Sequence, residues 1–168
     1  MAETRYLYFA YGSNLYWPRM RERCPGARLW GPAVLGGYRL VESLYADIRR
    51  SPKGQVWGVL YTVTPEDLES LDRHEGLHNG VYARVNVPVD YGQRRFTACT
   101  YVMTEKTHQE RRKRPYPVWY RNICSIGAQW HGIPDGFKLP AATPRPPEWS
   151  FSFPSATWQS AMENEDND

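Results

Sequence analysis

An acid at a position patterned for an apolar residue is the first feature of this chain that could do chemistry. The segment from Thr64 to Gly76 opens as a helix should, with a Thr cap, proline at the first helical position, and Glu66 and Asp67 near the positive end of the dipole. At about 100° per residue from Leu68, Leu71 falls near 300° and Glu75 near 340°, whereas Glu66, Glu69, Ser70 and Arg73 fall between roughly 100° and 200°. Glu75 therefore lies on the buried stripe. It also sits in the last turn, where the dipole is negative, so burial and dipole both disfavour the carboxylate and raise its pKa. A carboxyl group brought toward neutrality suits general acid/base work. The same pattern also fits a helix that ends one residue early and turns Glu75 into water. Asp72, nearer the edge of the stripe, is expected to be solvated.

Gly12-Ser13-Asn14 is the second candidate. Successive backbone N–H groups in such a turn can form a concave anion site, able to hold a carboxylate or a developing oxyanion, although three turn-forming residues also make an ordinary turn. Ser13 lacks the G-x-S-x-G elbow of a serine nucleophile, and no motif ties a histidine to it. His74, His78, His108 and His131 read as surface or loop residues. Cys24, Cys99 and Cys124 are widely spaced and odd in number, with no zinc-type spacing, so reduced thiols in the cytoplasm and no metal are expected.

The elements that must position these groups are short and mixed. Arg5 to Tyr11 is a nearly continuous apolar run that reads as a strand buried on both faces, and it leads straight into Gly12. A short helix follows over Trp17 to Arg23, entered near Pro18 and closed by Pro25-Gly26. Tyr38 to Leu44 and Gln55 to Tyr61 have strand character, with turns expected at Gly36-Gly37 and Ser51-Pro52-Lys53-Gly54. After the helix ending near Gly76, Tyr82 to Asp90 and Phe96 to Met103 form a hairpin around Tyr91-Gly92-Gln93. A last helix runs from about Pro117 to Gly132, with Tyr116, Trp119, Tyr120, Ile123, Cys124, Gly127 and Trp130 on one stripe and Arg121, Asn122, Ser125 and Gln129 opposite. The sum is one α+β domain over residues 1–139, followed by a proline-rich and then acidic tail over 140–168.

A length of 168 residues fits a single core, and no apolar run approaches the roughly 20 residues that cross a bilayer. The N-terminus has no basic segment ahead of an aliphatic stretch, so no cleaved signal is expected. A net charge of +3 is too slight to make nucleic acid or anionic lipid the expected partner. The basic run Arg111 to Arg114 reads as a solvated loop. Aromatic content is high, at 7 Trp, 12 Tyr and 5 Phe, and rings with polar tips suit the lining of a cavity.

Four blocks together resemble the γ-glutamylcyclotransferases: Tyr8-Phe9-Ala10-Tyr11-Gly12-Ser13-Asn14, Val56-Trp57-Gly58-Val59, Leu71-Asp72-Arg73-His74-Glu75-Gly76 with Tyr82 following, and Tyr120 to Ala128 as YRNICSIGA. They occur in the family's order and span roughly Arg5 to Gly132. The resemblance implies a small mixed β-sheet closed toward a barrel with flanking helices. It implies that Glu75 is the catalytic acid/base, that Tyr8, Phe9, Ala10, Tyr11, Gly12 and Ser13 form the substrate-binding strand and loop, and that Tyr82 and Tyr120 are pocket tyrosines. The implied activity is of lyase or acyltransferase type. A γ-glutamyl amino acid or γ-glutamyl amine would cyclise to 5-oxoproline as its own α-amine attacks, with no cofactor, metal or enzyme nucleophile required. A homodimer is compatible with the sequence, and a non-catalytic small-molecule binding protein of the same fold is the alternative. Animal members carry a longer glycine-containing loop bordering the pocket where this chain reads Ser43-Leu44-Tyr45-Ala46-Asp47-Ile48-Arg49, which leaves the identity of the substrate open.

Overall fold

A computed structural model describes residues 3–138. The proline-rich and acidic tail expected from residue 140 onward lies outside the described residues. Within them, five strands and four helices alternate: β1 (Tyr6–Ala10), α1 (Trp17–Arg23), β2 (Arg28–Ser43), β3 (Tyr45–Val63), α2 (Pro65–His74), β4 (Tyr82–Tyr91), β5 (Arg94–Met103), α3 (Glu105–Arg111) and α4 (Val118–Trp130). The strands close into a barrel in the order β1-β3-β2-β4-β5. Neighbours pair antiparallel except at the seam, where β1 runs parallel to β5 with Tyr8 opposite Cys99. A mixed sheet closed on itself with helices outside is thus the architecture expected from the sequence, and Phe9, Leu35, Ile48, Leu60, Val63 and Val89 are completely buried within it.

Two glycines show why the motif blocks occur together. A Cβ on Gly58 would stand 2.3 Å from the Ala10 carbonyl oxygen and 2.6 Å from the Phe9 ring, so only glycine lets β3 lie against β1 here. A Cβ on Gly127 would stand 2.5 Å from the Leu15 carbonyl carbon, so α4 rests directly on the 3-10 turn Ser13–Leu15 that follows β1. Helix α2 begins with a full capping box: the Thr64 hydroxyl accepts from Asp67 N–H, and the Asp67 carboxylate accepts from Thr64 N–H, each at 3.1 Å.

Several expectations need correction. Tyr6 is 45% exposed, so β1 is buried on both faces only from Tyr8 onward. The strands over 38–44 and 55–61 are parts of one long hairpin that turns at Leu44, whose φ of 63° is left-handed. Ser51, Pro52, Lys53 and Gly54 are no turn between elements. Pairing passes from Gly36↔Gln55 to Tyr38↔Arg50, so these residues bulge out of β3 opposite Gly37, where Pro52 needs no ladder partner. Helix α3, capped by the Thr104 hydroxyl, occupies the start of what reads as a basic loop. On α4, Trp119 is 50% exposed, whereas Ser125 is fully buried and bonded to Asp135. Asp72 is buried rather than solvated, its carboxylate taken by Arg84 at 2.8 Å and by the Tyr101 hydroxyl. His108 lies half-buried beside buried Asp47, and the His131 ring meets the Leu15 carbonyl at 3.0 Å.

Candidate active site

The end of α2 aims Glu75. Its N–H still donates to the Leu71 carbonyl at 2.8 Å, and its φ and ψ of −84° and −2° keep it helical, so the side chain continues the Leu71 face. Gly76 then breaks the helix in the left-handed conformation with φ 64°. The carboxyl group projects into a cavity of about 360 Å³. Among the described residues, no hydrogen bond or ion pair holds it. Burial raises its pKa to about 7, while Arg23 and, less strongly, Arg19 pull the value back down.

The end of β1 and the turn after it line the same cavity as Glu75. Tyr8, Tyr11, Gly12 and Ser13 all line it, as do Tyr82 from β4 and Tyr120 from α4. Phe9 and Ala10 do not; both are buried, Phe9 on the opposite face of β1 from Tyr8. The 3-10 turn takes its internal bonds from Leu15 N–H to Gly12 O and Tyr16 N–H to Ser13 O, both 3.1 Å, so the N–H groups of Gly12 and Ser13 are not consumed by it. A Cβ at Gly12 would stand 3.0 Å from the Tyr120 hydroxyl, which explains the glycine at this position.

Two tyrosines grip one residue. The Tyr120 hydroxyl accepts from Ala46 N–H at 3.0 Å, and the Tyr82 hydroxyl donates to the Ala46 carbonyl at 2.9 Å, fixing the start of β3 as a cavity wall. Burial pushes the phenols of Tyr8, Tyr11, Tyr82 and Tyr120 well up, so all four stay protonated at neutral pH.

Sequence reading missed the cationic rim. Arg19 and Arg23 line the cavity from α1, Arg73 from α2 and Arg111 from α3. Arg19 stands 5.6 Å from the Trp119 ring and Arg111 5.4 Å from the Tyr45 ring, and these two aromatic residues meet at 6.4 Å across the mouth. The spacing of Arg19 and Arg23 was the available signal: like charges one turn apart on a short helix repel unless an anion comes between them. Among the described residues, no three His, Cys, Asp or Glu side chains converge to hold a metal ion.

The family model described as gamma-glutamyl cyclotransferase, AIG2-like, matches residues 8–121, more than half of the chain and every residue that lines the cavity. The chain belongs to this family. It is an enzyme of the γ-glutamylcyclotransferase type. The human γ-glutamylcyclotransferase is 32% identical over 157 residues, covering 84% of this chain and 81% of the relative. The mouse protein is 32% identical over 154 residues, covering 83% and 79%. A solved gamma-glutamyl cyclotransferase structure superposes with a TM-score of 0.69 at 26% identity, covering 96% of this chain and 99% of the other. In this family member, the blocks at Gly12, Glu75 and Tyr120 meet around one cavity.

Proposed function

We propose that the chain converts a γ-glutamyl amino acid or γ-glutamyl amine to 5-oxoproline and the free amine, with Glu75 as the acid/base. The observation that carries this reading is the Glu75 carboxyl group, without a partner among the described residues, poised at about 7 and lining one small cavity with the Gly12 turn. The substrate supplies its own nucleophile. Glu75 takes one proton from the α-ammonium, the freed amine attacks the γ-carbonyl carbon, and Glu75 passes that proton to the leaving nitrogen as its bond to the carbon breaks. The attacking nitrogen gives its second proton to the regenerated carboxylate, which hands it on to the released amine and leaves a neutral lactam. Nucleophile and carbonyl already belong to one molecule, so the cavity has only to hold the γ-glutamyl group folded with its amine against the γ-carbon. The N–H groups of Gly12 and Ser13, which no described residue takes up, line one cavity with Arg19 and Arg23 and suit the substrate's carboxylate.

The test is incubation of the full chain with a panel of γ-glutamyl amino acids, γ-glutamyl amines and glutathione, with mass spectrometry for 5-oxoproline. Cyclic product from at least one compound, lost in Glu75→Gln, is the expected result. Ligand binding without turnover across the panel would instead favour a non-catalytic binding protein, and full activity in Glu75→Gln would remove the assigned base.

A further inference from the structure

The hydroxyl groups around the cavity differ in what they have left to give. Tyr11 donates its proton to the Tyr101 carbonyl at 2.5 Å, Tyr82 donates to the Ala46 carbonyl, and Tyr101 donates to the Asp72 carboxylate. Tyr120 accepts from Ala46 N–H and lies within hydrogen-bonding reach of the Cys124 sulfur. Tyr8 is different. Its oxygen accepts from the Asn14 side-chain amide at 3.0 Å, and among the described residues nothing accepts its hydrogen.

The direction of that bond is fixed by a third residue. Arg23 donates from Nη1 to Asn14 Oδ1 at 3.2 Å. A guanidinium has donors only, so the Asn14 atom facing it must be the carbonyl oxygen, and the NH₂ end must face Tyr8. The Tyr61 hydroxyl holds the Asn14 backbone carbonyl at 3.0 Å, and Asn14 is buried, so the amide has no room to turn over. Tyr8 is therefore obliged to accept from Asn14, and its one O–H points elsewhere, into the cavity it lines. The run from Arg23 through Asn14 to Tyr8 is polarised in one direction, which strengthens the donor at its end.

We infer that Tyr8 is the hydrogen-bond donor to the substrate's γ-carbonyl oxygen as that oxygen becomes an oxyanion, with Asn14 and Arg23 as positioning residues that aim its hydroxyl. The inference rests on the cyclotransferase reading and assigns a division of labour within it. As the α-amine lone pair bonds to the γ-carbon, the carbonyl π pair moves onto oxygen, where the Tyr8 O–H meets it without giving up its proton. The pair then returns, the bond to the leaving nitrogen breaks, and Glu75 delivers the proton to that nitrogen. The N–H groups of Gly12 and Ser13 are left for the α-carboxylate. Tyr8 and Glu75 line the same cavity, so donor and base are presented to one bound γ-glutamyl group.

Loss of one oxyanion donor lowers kcat by about 10² to 10³. Tyr8→Phe, which keeps the ring and its packing, is expected to show that loss with KM within about threefold of the parent. Asn14→Asp puts a carboxylate between Arg23 and Tyr8, so Tyr8 turns its hydrogen away from the cavity to meet it. Its kcat should fall toward that of Tyr8→Phe, and the double variant should be no slower than the slower single one. A second measurement does not need turnover: a γ-glutamyl amide carrying carbon-13 at the γ-carbonyl, bound to Glu75→Gln, should show a lowered carbonyl stretching frequency that Tyr8→Phe abolishes. Parental kcat in Tyr8→Phe, independent losses in the double variant, or a carbonyl frequency indifferent to Tyr8 overturns the inference. A Tyr8-dependent frequency shift in a wild-type protein that makes no 5-oxoproline overturns the cyclotransferase reading and leaves the donor in place.

Discussion

Asp72 and Glu75 leave the same helix three residues apart and are treated in opposite ways by the fold. Arg84 and the Tyr101 hydroxyl take up the Asp72 carboxylate, while Glu75, one turn further on, is given no partner among the described residues and lines the cavity. Two carboxylates set apart by environment are a recurrent way for one fold to hold one acid in a structural contact and leave the other available for proton transfer. The opposed treatment makes the consequences of altering Glu75 specific.

Removing the charge at Glu75 should be costly for catalysis. Glu75→Gln is expected to lower kcat by about 10² to 10⁴, the range for a positioned acid/base. With the group at about 7, kcat/KM in the parent should rise with pH through that value and level off above it, because the ionised form must accept the α-ammonium proton. A profile flat from pH 5 to 9, measured by 5-oxoproline release, would be incompatible with this base.

The same group should weaken the fold at high pH. Its folded value, about 7, lies above its ordinary value of 4.5, so the folded chain holds the proton that the unfolded chain releases between those values. Stability then falls as pH rises from about 4.5 to 7 and is constant above, and Glu75→Gln should escape that loss, ending up to about 3 kcal/mol more stable than the parent at pH 8. Urea unfolding of both proteins at pH 5 and pH 8 checks the sign and the size.

Gly12→Ala should damage the site more than the fold. The new methyl group would meet the Tyr120 hydroxyl at 3.0 Å and the Ala46 Cβ at 3.2 Å, forcing apart the contact that sets the cavity wall. Because misplacement by about 1 Å can cost about 10²-fold in rate, kcat/KM is expected to fall by roughly that factor while the melting temperature shifts by only a few degrees. Parallel activity and thermal-melt measurements separate the two effects.

The thiols should be silent in the folded protein. Cys24, Cys99 and Cys124 are all buried, and burial pushes Cys24 up to about 12 and Cys99 up to about 11. A thiol reagent at pH 8 is expected to titrate almost none of them until denaturant is added, after which all 3 react. Rapid native labelling would show that the barrel wall opens on the timescale of the reagent.

Much of this was legible in the sequence where the signal was local. Thr64, Pro65 and Asp67 announce α2 because a capping box is built from adjacent residues, and Glu75 stood out because it violates the helix's own apolar pattern. The long β2–β3 hairpin was hidden because its real turn is made by Leu44, which carries no turn signature, while glycines and a proline mark only an interior bulge. Asp72 could not be placed because its partners, Arg84 and Tyr101, come from β4 and β5, and helical periodicity carries no information about a neighbouring sheet. Trp119 matched the apolar stripe of α4 yet stands at the cavity mouth with Arg19, since a helix beside a pocket has an apolar face that is only partly covered.

The barrel's seam bears on how the chain is made. Tyr8 belongs to the first strand to be synthesised, yet its neighbour Cys99 across the parallel join, and Tyr120 beyond it, are translated long afterwards. Until they arrive, β1 has an unsatisfied edge, and closing so long a stretch of backbone is a late and slow step. A nascent or truncated polypeptide ending short of β5 therefore carries every atom of Glu75 but lacks Thr100, Tyr101, Arg111, Trp119 and Tyr120 from the enclosure around it, and the pocket is finished only when the last staves of the cask are in place.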